Sequence, residues 1–236
     1  MLHNFLKLLT DTIFPVNCVS CNQEGTWICN NCLNKTPYNT IHYCLSCKRQ
    51  TRLGEFCNNC APIFHLDKVW IASDFQNKNI NKLIKLYKYK FAQDIAESLG
   101  FFLFNFLNKQ IINQQKKFNT ETILIIPVPL HNKRLRWRGF NQSEKLAHFI
   151  ANKSQIKINT ENLKRIKFKK PQASLKKEAR LKNIQNVFTW QGAKLNHQNI
   201  ILVDDVTTTG ATLNECAKIL KANGANEVWG LVLANG

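Results

Sequence analysis

The chain has 236 residues, 44% of them hydrophobic, and a formal net charge of +18. That is ordinary material for one large globular domain or two smaller ones, and no apolar run approaches the ~20 residues of a membrane span. So large an excess of charge points to a polyanionic partner or a polyphosphate ligand, although a general lysine and asparagine bias would produce it too.

Met1–Phe14 carries Leu2, Phe5, Leu6, Leu9 and Ile13 at helical spacing around Lys7 and Asp11. Residues 1–14 are therefore expected to form an amphipathic helix. The continuous apolar core and small-residue cleavage site of a signal peptide are missing, so a cytoplasmic protein is expected.

Eight of the nine cysteines fall in four Cys-x-x-Cys pairs, Cys18/Cys21, Cys29/Cys32, Cys44/Cys47 and Cys57/Cys60. Each pair can bring two thiolates to one metal, and two pairs complete the tetrahedron that Zn²⁺ prefers. Two structural zinc sites are expected within residues 15–66. The simplest grouping is Cys18, Cys21, Cys29 and Cys32, then Cys44, Cys47, Cys57 and Cys60; pairing of alternate knuckles stays open. Disulfides would need an oxidising compartment, and a redox dithiol would explain one pair, not four. Large apolar residues are few in this segment, so metal is expected to supply its folding energy, ~10–16 kcal/mol per site in zinc-finger peptides. Cys216 stands apart on the apolar side of a predicted helix, where it reads as a buried small residue.

Residues 67–236 form the body. Val69–Phe75 reads as a strand, and a basic helix follows through Ile80, Leu83, Ile84 and Tyr87 to Lys88. Ile95–Leu107 reads as a long Phe-rich helix, and Ile123–Ile126 as a second buried strand closed by Pro127-Val128-Pro129. Alternating strands and helices predict an α/β fold with a parallel sheet, whose ligands sit beyond the carboxyl ends of the strands. Beyond that second strand, Lys133, Arg134, Arg136 and Arg138 precede Gly139. Then come Asn141, Gln142 and Ser143, which suit the cap of a following helix. A basic loop there can clamp a pyrophosphate through paired arginine hydrogen bonds; a solvated loop or a nucleic-acid patch is the plainer reading. Lys153–Lys182 is the densest basic stretch, with eleven basic and two acidic residues. Lys164–Phe188, which overlaps it, suits either a mobile basic hood or an exposed loop.

Ile200–Thr212 carries the most chemistry. Ile200–Val203 reads as a buried strand, Asp204 and Asp205 follow, then Thr207, Thr208, Thr209 and Gly210 lead into a helix. Unpaired N–H groups at such a turn suit a phosphate. The two carboxylates would repel it, so they should face sugar hydroxyls or Mg²⁺ on the same ligand. A ribose 5-phosphate uses every polar group of the segment. A nucleotide triphosphatase would need a Gly-x-x-x-x-Gly-Lys-Ser/Thr loop, and the nine glycines supply none. Glu227–Leu233 reads as the final strand.

The cysteine knuckles resemble the ComF family when taken with Leu-Ile-Lys-Leu-Tyr-Lys-Tyr (83–89), Pro-Val-Pro-Leu (127–130), Arg-Gly-Phe-Asn-Gln-Ser (138–143), Arg-Leu-Lys-Asn-Ile-Gln-Asn-Val-Phe (180–188) and Val-Asp-Asp-Val-Thr-Thr-Thr-Gly-Ala-Thr (203–212). These blocks follow the family's order over nearly the whole chain. The resemblance implies a double zinc ribbon joined to a type I phosphoribosyltransferase-like sheet, and a role in DNA uptake during natural transformation. It also implies a phosphoribosyl pyrophosphate site bound with Mg²⁺. Asp204 and Asp205 would hold the ribose hydroxyls and be the catalytic pair, while Val206, Thr207, Thr208, Thr209, Gly210, Ala211 and Thr212 would wrap the 5-phosphate. Lys88, Lys133, Arg134 and Arg138 would meet the pyrophosphate, with Arg180 reaching down from the hood. Thr209 and Ala211 depart from the commoner family choices, but both are small. Two functions follow from the resemblance. One is a protein that binds the ligand and handles single-stranded DNA, with other DNA-uptake proteins as partners. The other is an active phosphoribosyltransferase acting on a nucleobase or other acceptor. The basic, aromatic-dotted stretch containing Trp137, Phe140 and Phe168 suits DNA backbone tracking and base stacking.

Overall fold

A computed structural model of the chain describes residues 16–89, 94–113, 120–168 and 184–236. The amphipathic segment 1–14 and Arg180, with most of the predicted hood, lie outside the described residues. Five parallel strands form the main sheet: β1 (Lys68–Asp74), β2 (Ile123–Pro127), β3 (Lys157–Ile158), β6 (Asn199–Thr207) and β7 (Val228–Asn235). Their order is β1-β7-β6-β2-β3. A two-stranded antiparallel ribbon joins β4 (Leu163–Arg165) to β5 (Phe188–Trp190).

A sheet covered on both faces needs near-continuous apolar strands, which is what β2 and the first half of β6 supply. Side chains alternate between the faces. Trp70, Ala72, Ile125, Ile201, Val203, Leu231 and Leu233 belong to one buried cluster, and Val69, Leu124, Ile126, Ile200, Leu202 and Val232 to the other. The first cluster is closed by α2 (Lys78–Leu86), α3 (Ile95–Asn113) and α5 (Gln142–Ser154). In α3, Ile95, Leu99, Phe102, Leu103, Phe106 and Leu107 recur at helical spacing and are buried, the stripe that seats a helix on a sheet. The second cluster is closed by α6 (Ala211–Ala222) and by Leu163, Val187 and Phe188 at the small ribbon.

Two elements differ from the sequence reading. Strand β6 does not stop at Val203. It pairs with β7 through Asp204↔Val232, Val206↔Ala234 and Thr207↔Asn235, because a parallel neighbour of matching length satisfies the backbone beyond the apolar run. The basic loop after β2 is a helix, α4 (Asn132–Arg138), whose N-cap His131 accepts the Lys133 N–H and whose end is set by Gly139 in the left-handed region. Arginine and lysine are good helix formers.

The cysteine-bearing segment shares both cores. Cys18, Ile28, Cys29 and Leu33, the last in the short helix α1 (Asn30–Asn34), join the first cluster, where Tyr38 stacks on Phe102 at 4.4 Å. Cys44, Leu45, Phe56, Cys57, Cys60 and Leu66 join the second. Backbone hydrogen bonds fasten the segment to β1, from Asn39 N to Ala72 O and from Val69 N to Gly54 O, each 2.9 Å.

Candidate functional site

The four Cys-x-x-Cys pairs gather as consecutive knuckles: Cys18, Cys21, Cys29 and Cys32 in one cluster, Cys44, Cys47, Cys57 and Cys60 in the other. Sulfurs within each cluster lie within 4.8 Å of one another, with Cys21 and Cys29 at 3.7 Å and Cys47 and Cys57 at 3.5 Å. A zinc tetrahedron with ~2.3 Å Zn–S bonds has S···S edges of about 3.8 Å, so both sets fit one Zn²⁺ each. The knuckle backbones favour thiolates at Cys18 and Cys44, whereas Cys32 and Cys60 are pushed up to about 11, hydrogen bonds from Ser20 and Ser46 being outweighed by the neighbouring thiols and burial. Burial opposes ionisation of Cys18, yet the N–H groups of Cys21, Cys29 and Ser20 draw it down to about 6. Cys44 is also brought to about 6, against its burial, by the N–H groups of Cys47, Cys57 and Ser46. Deprotonated cysteine is the form that binds metal.

The second assembly sits at the carboxyl ends of β6 and β2. Asp204 Oδ1 accepts from Ser143 Oγ at 2.7 Å and from Asp205 N at 2.9 Å. Ser143 is set by Asn141, the N-cap of α5, whose side chain accepts the Ser143 N–H at 3.2 Å. Burial and the adjacent Asp205 charge push Asp204 up to about 7, with Ser143 pulling the other way. Asp205 Oδ1 accepts from Val206 N at 2.8 Å, and Oδ2 lies 3.8 Å from Lys88 Nζ. Burial, then the Asp205 charge, hold the Tyr87 phenol protonated, and it donates to Gln142 O at 2.9 Å.

Cations surround this pair. In α4, Arg134 and Arg138 share a face at i, i+4 spacing. Burial and the like charges of Arg165 and Arg138 lower Arg134 from its ordinary value, while the Asp205 carboxylate raises it. Arg138 donates to Gln142 Oε1 at 2.8 Å. Burial lowers Arg165 and the Asp204 charge opposes that shift. Lys133, by contrast, lies exposed with its Nζ over the Phe168 ring, 5.1 Å from its centroid. Arg138 Nε, Gln142 Nε2 and Arg165 Nε are buried without acceptors among the described residues.

Beyond Asp205, Thr207 is buried and Gly210, which has no side chain to cap with, stands at φ 74° as the N-cap of α6. Thr209 Oγ1 reaches Ala211 N at 3.4 Å. The structure thus brings Asp204, Asp205, Lys88, Arg134 and Arg138 together beside the Thr207–Thr212 segment. Sequence reasoning missed Ser143 as a partner of Asp204 and missed Arg165 altogether. They lie far from the acid pair along the chain, and only the closing of the sheet makes them neighbours. Cys216 is fully buried, with its thiol pushed up by burial and by Asp204.

No family model matches the chain. It is similar to competence protein F of Haemophilus influenzae, 29% identical over 233 residues that cover 94% of this chain and 98% of that protein. It is similar to competence protein ComFC of Bacillus subtilis, 28% identical over 248 residues covering 94% and 91%. Over 107 residues, 44% of this chain and 47% of the relative, it is 34% identical to the DNA utilization protein YhgH of Escherichia coli. Similarity to both competence proteins along nearly the whole length goes with two four-cysteine clusters ahead of a five-stranded parallel sheet, the architecture that the resemblance to the ComF family implies.

Proposed function

We propose that the chain is a DNA-uptake protein that handles incoming single-stranded DNA in the cytoplasm and carries a binding site for phosphoribosyl pyrophosphate. The relatives named for competence and DNA utilization support the first part. The second part is carried by one juxtaposition: adjacent carboxylates that run into a hydroxyl-rich helix start, with Lys88, Arg134 and Arg138 close by. Ribose hydroxyls donate to Asp204 and Asp205, and the Thr207–Thr212 segment takes the 5-phosphate. The cations, with Arg180 from the hood, face the pyrophosphate. The unpartnered N–H groups of Arg138, Gln142 and Arg165 make the surroundings rich in donors and short of acceptors, the complement of a polyanion. A bound Mg²⁺ would supply further charge neutralisation on the pyrophosphate.

DNA is read onto the outer face of α4 and the segment beyond β4. There Trp137 is 71% exposed and Ile166 53% exposed, beside Arg136, Lys133 and Phe168. Such a surface stacks bases and tracks phosphates without reading sequence. Fluorescence anisotropy with a labelled oligothymidylate should show affinity falling on the order of a hundredfold between 50 and 200 mM salt, as counterion release requires. Trp137→Ala should weaken binding by about tenfold. Affinity independent of both changes would contradict this assignment.

One observation favours an active transferase as a second reading. Asp204, held near 7, can exchange a proton at neutral pH, as general acid–base catalysis requires. Phosphorus NMR of phosphoribosyl pyrophosphate with Mg²⁺ and a nucleobase panel decides this. Pyrophosphate release with one base supports turnover, and ligand binding with no pyrophosphate release from any base supports binding alone.

A further inference from the structure

The Thr207–Gly210 turn is held from one side by the second four-cysteine loop, Cys44–Cys60. Asn235 ends β7 beside it. Its amide is best placed with Nδ2 donating to Thr207 O and Thr208 O, each 3.1 Å, and Oδ1 accepting from Lys48 Nζ at 2.6 Å. Lys48 directly follows the Cys44-x-x-Cys47 knuckle, which fixes its backbone. Lys48 N donates to Cys44 O at 2.9 Å, and the residue stands at φ 64°. Leu45 lies inside the knuckle, 2% exposed. It packs so close to Gly210 that a Cβ there would meet Leu45 Cδ2 at 2.6 Å. The first four-cysteine loop packs instead in the cluster on the other face of the sheet, with α2 and α3.

These contacts act on the direction of the turn's amides. A carboxamide nitrogen carries two hydrogens, enough for both carbonyls. A trans peptide is planar, with its C=O and N–H on opposite edges. Two carbonyls drawn to the Asn235 amide therefore aim the next two N–H groups, those of Thr208 and Thr209, away from it. Leu45 fills the space into which the turn could otherwise relax. N–H groups aligned on a turn that opens a helix are what a phosphate recognises, and groups already held in place lose less freedom when it arrives. We propose that Asn235, Lys48 and Leu45 are positioning residues of the turn, through which the second cysteine cluster sets its affinity for a sugar phosphate. This rests on the reading of that turn as a phosphate site.

Calorimetry of ribose 5-phosphate with the zinc-loaded full chain tests the proposal. Heteronuclear NOE values for the Thr208 and Thr209 amides of the ligand-free chain, which report fast backbone motion, are measured in parallel. Asn235→Leu changes no charge, keeps the side-chain size and removes both donations. It should weaken ribose 5-phosphate binding about tenfold, the order of two neutral hydrogen bonds, and lower both NOE values while two zincs are retained. Lys48→Met should have a smaller effect of the same sign. Lys82→Met, which removes a lysine contact to the first loop at Val19 O (3.3 Å), should have none. Cys47→Ser should lose one zinc and sugar-phosphate affinity together; where it does not fold, the Asn235 and Lys48 variants decide. Parent-like affinity in Asn235→Leu and Lys48→Met, or a lost zinc without lost affinity in Cys47→Ser, would overturn the proposal. No ribose 5-phosphate binding to the parent, with NOE values still lowered by Asn235→Leu, would uphold the positioning role and instead overturn the phosphate reading of the turn.

Discussion

At the scale of single residues, the two aspartates are not equivalent. Asp204 is half-buried and hydrogen-bonded to Ser143, whereas Asp205 faces Lys88. The Asp204 carboxyl moves from 3.8 to about 7 on folding. Between those values the folded chain holds a proton that the unfolded chain has released, so this group makes stability fall as pH climbs from about 4 to 7. Asp204→Asn should therefore raise the melting temperature of the ligand-free chain at pH 8 by a few degrees, about 2–5 °C. The gap should close as pH approaches 4; a variant that melts lower than the parent at pH 8 would contradict the assignment. The acid pair itself was legible in the sequence because two carboxylates after a buried apolar run have no structural purpose of their own. The separate environments of the two were not legible. They arise from Ser143, Arg165 and Lys88, which reach the pair from three different segments.

At the scale of elements, the second four-cysteine loop bears directly on the Thr207–Gly210 turn. Besides the Leu45 and Lys48 contacts, the Asn214 carboxamide in the first turn of α6 accepts from His65 N at 2.6 Å and from Leu66 N at 3.3 Å. Gly210→Ala would meet both the left-handed backbone, which costs ~1–2 kcal/mol for a residue with a Cβ, and the Leu45 side chain. Urea unfolding should show a loss of that order or more, part of which returns in the Gly210→Ala/Leu45→Ala double variant relative to Leu45→Ala alone. Removal of metal should loosen β1 as well as the loops. The Val69 amide, held by Gly54 O, should exchange with deuterium much faster after chelation. Two zinc ions per chain should restore its protection, and exchange indifferent to zinc would count against the coupling. The cysteine spacing made the metal clusters legible, and apolar runs made the strands legible. The packing of those clusters on the sheet was not, because Ile28, Leu33, Leu45 and Phe56 are too scattered to show a periodic face. Helix α4 was missed because four of its seven residues are charged and Leu135 and Trp137 alone make no apolar stripe.

At the scale of the whole molecule, a net charge of +18 serves both proposed ligands. On the proposed function it would draw DNA to the exposed face of α4 while a few inward cations would hold a phosphorylated sugar. No helix among the described residues is long and apolar enough to cross a membrane. The fold class and the larger strands and helices were readable from periodicity, but α4 and the short strands β3, β4 and β5 were not; similarity to the competence proteins extends over 94% of the chain. The strand order and the closure of the second cysteine loop onto the Thr207–Gly210 turn depend on long-range contacts that no local pattern encodes. The central claim is that Asp204–Thr212 binds a ribose phosphate through its carboxylates as well as its turn. Its most direct test is calorimetric titration of phosphoribosyl pyrophosphate with Mg²⁺ into the zinc-loaded chain and into Asp205→Asn. Saturable binding to the parent, weakened at least about tenfold in a variant that keeps its melting temperature and its two zincs, is the predicted result, the order of one charge-assisted hydrogen bond. Equal affinity for the two proteins, or none for the parent, would contradict it.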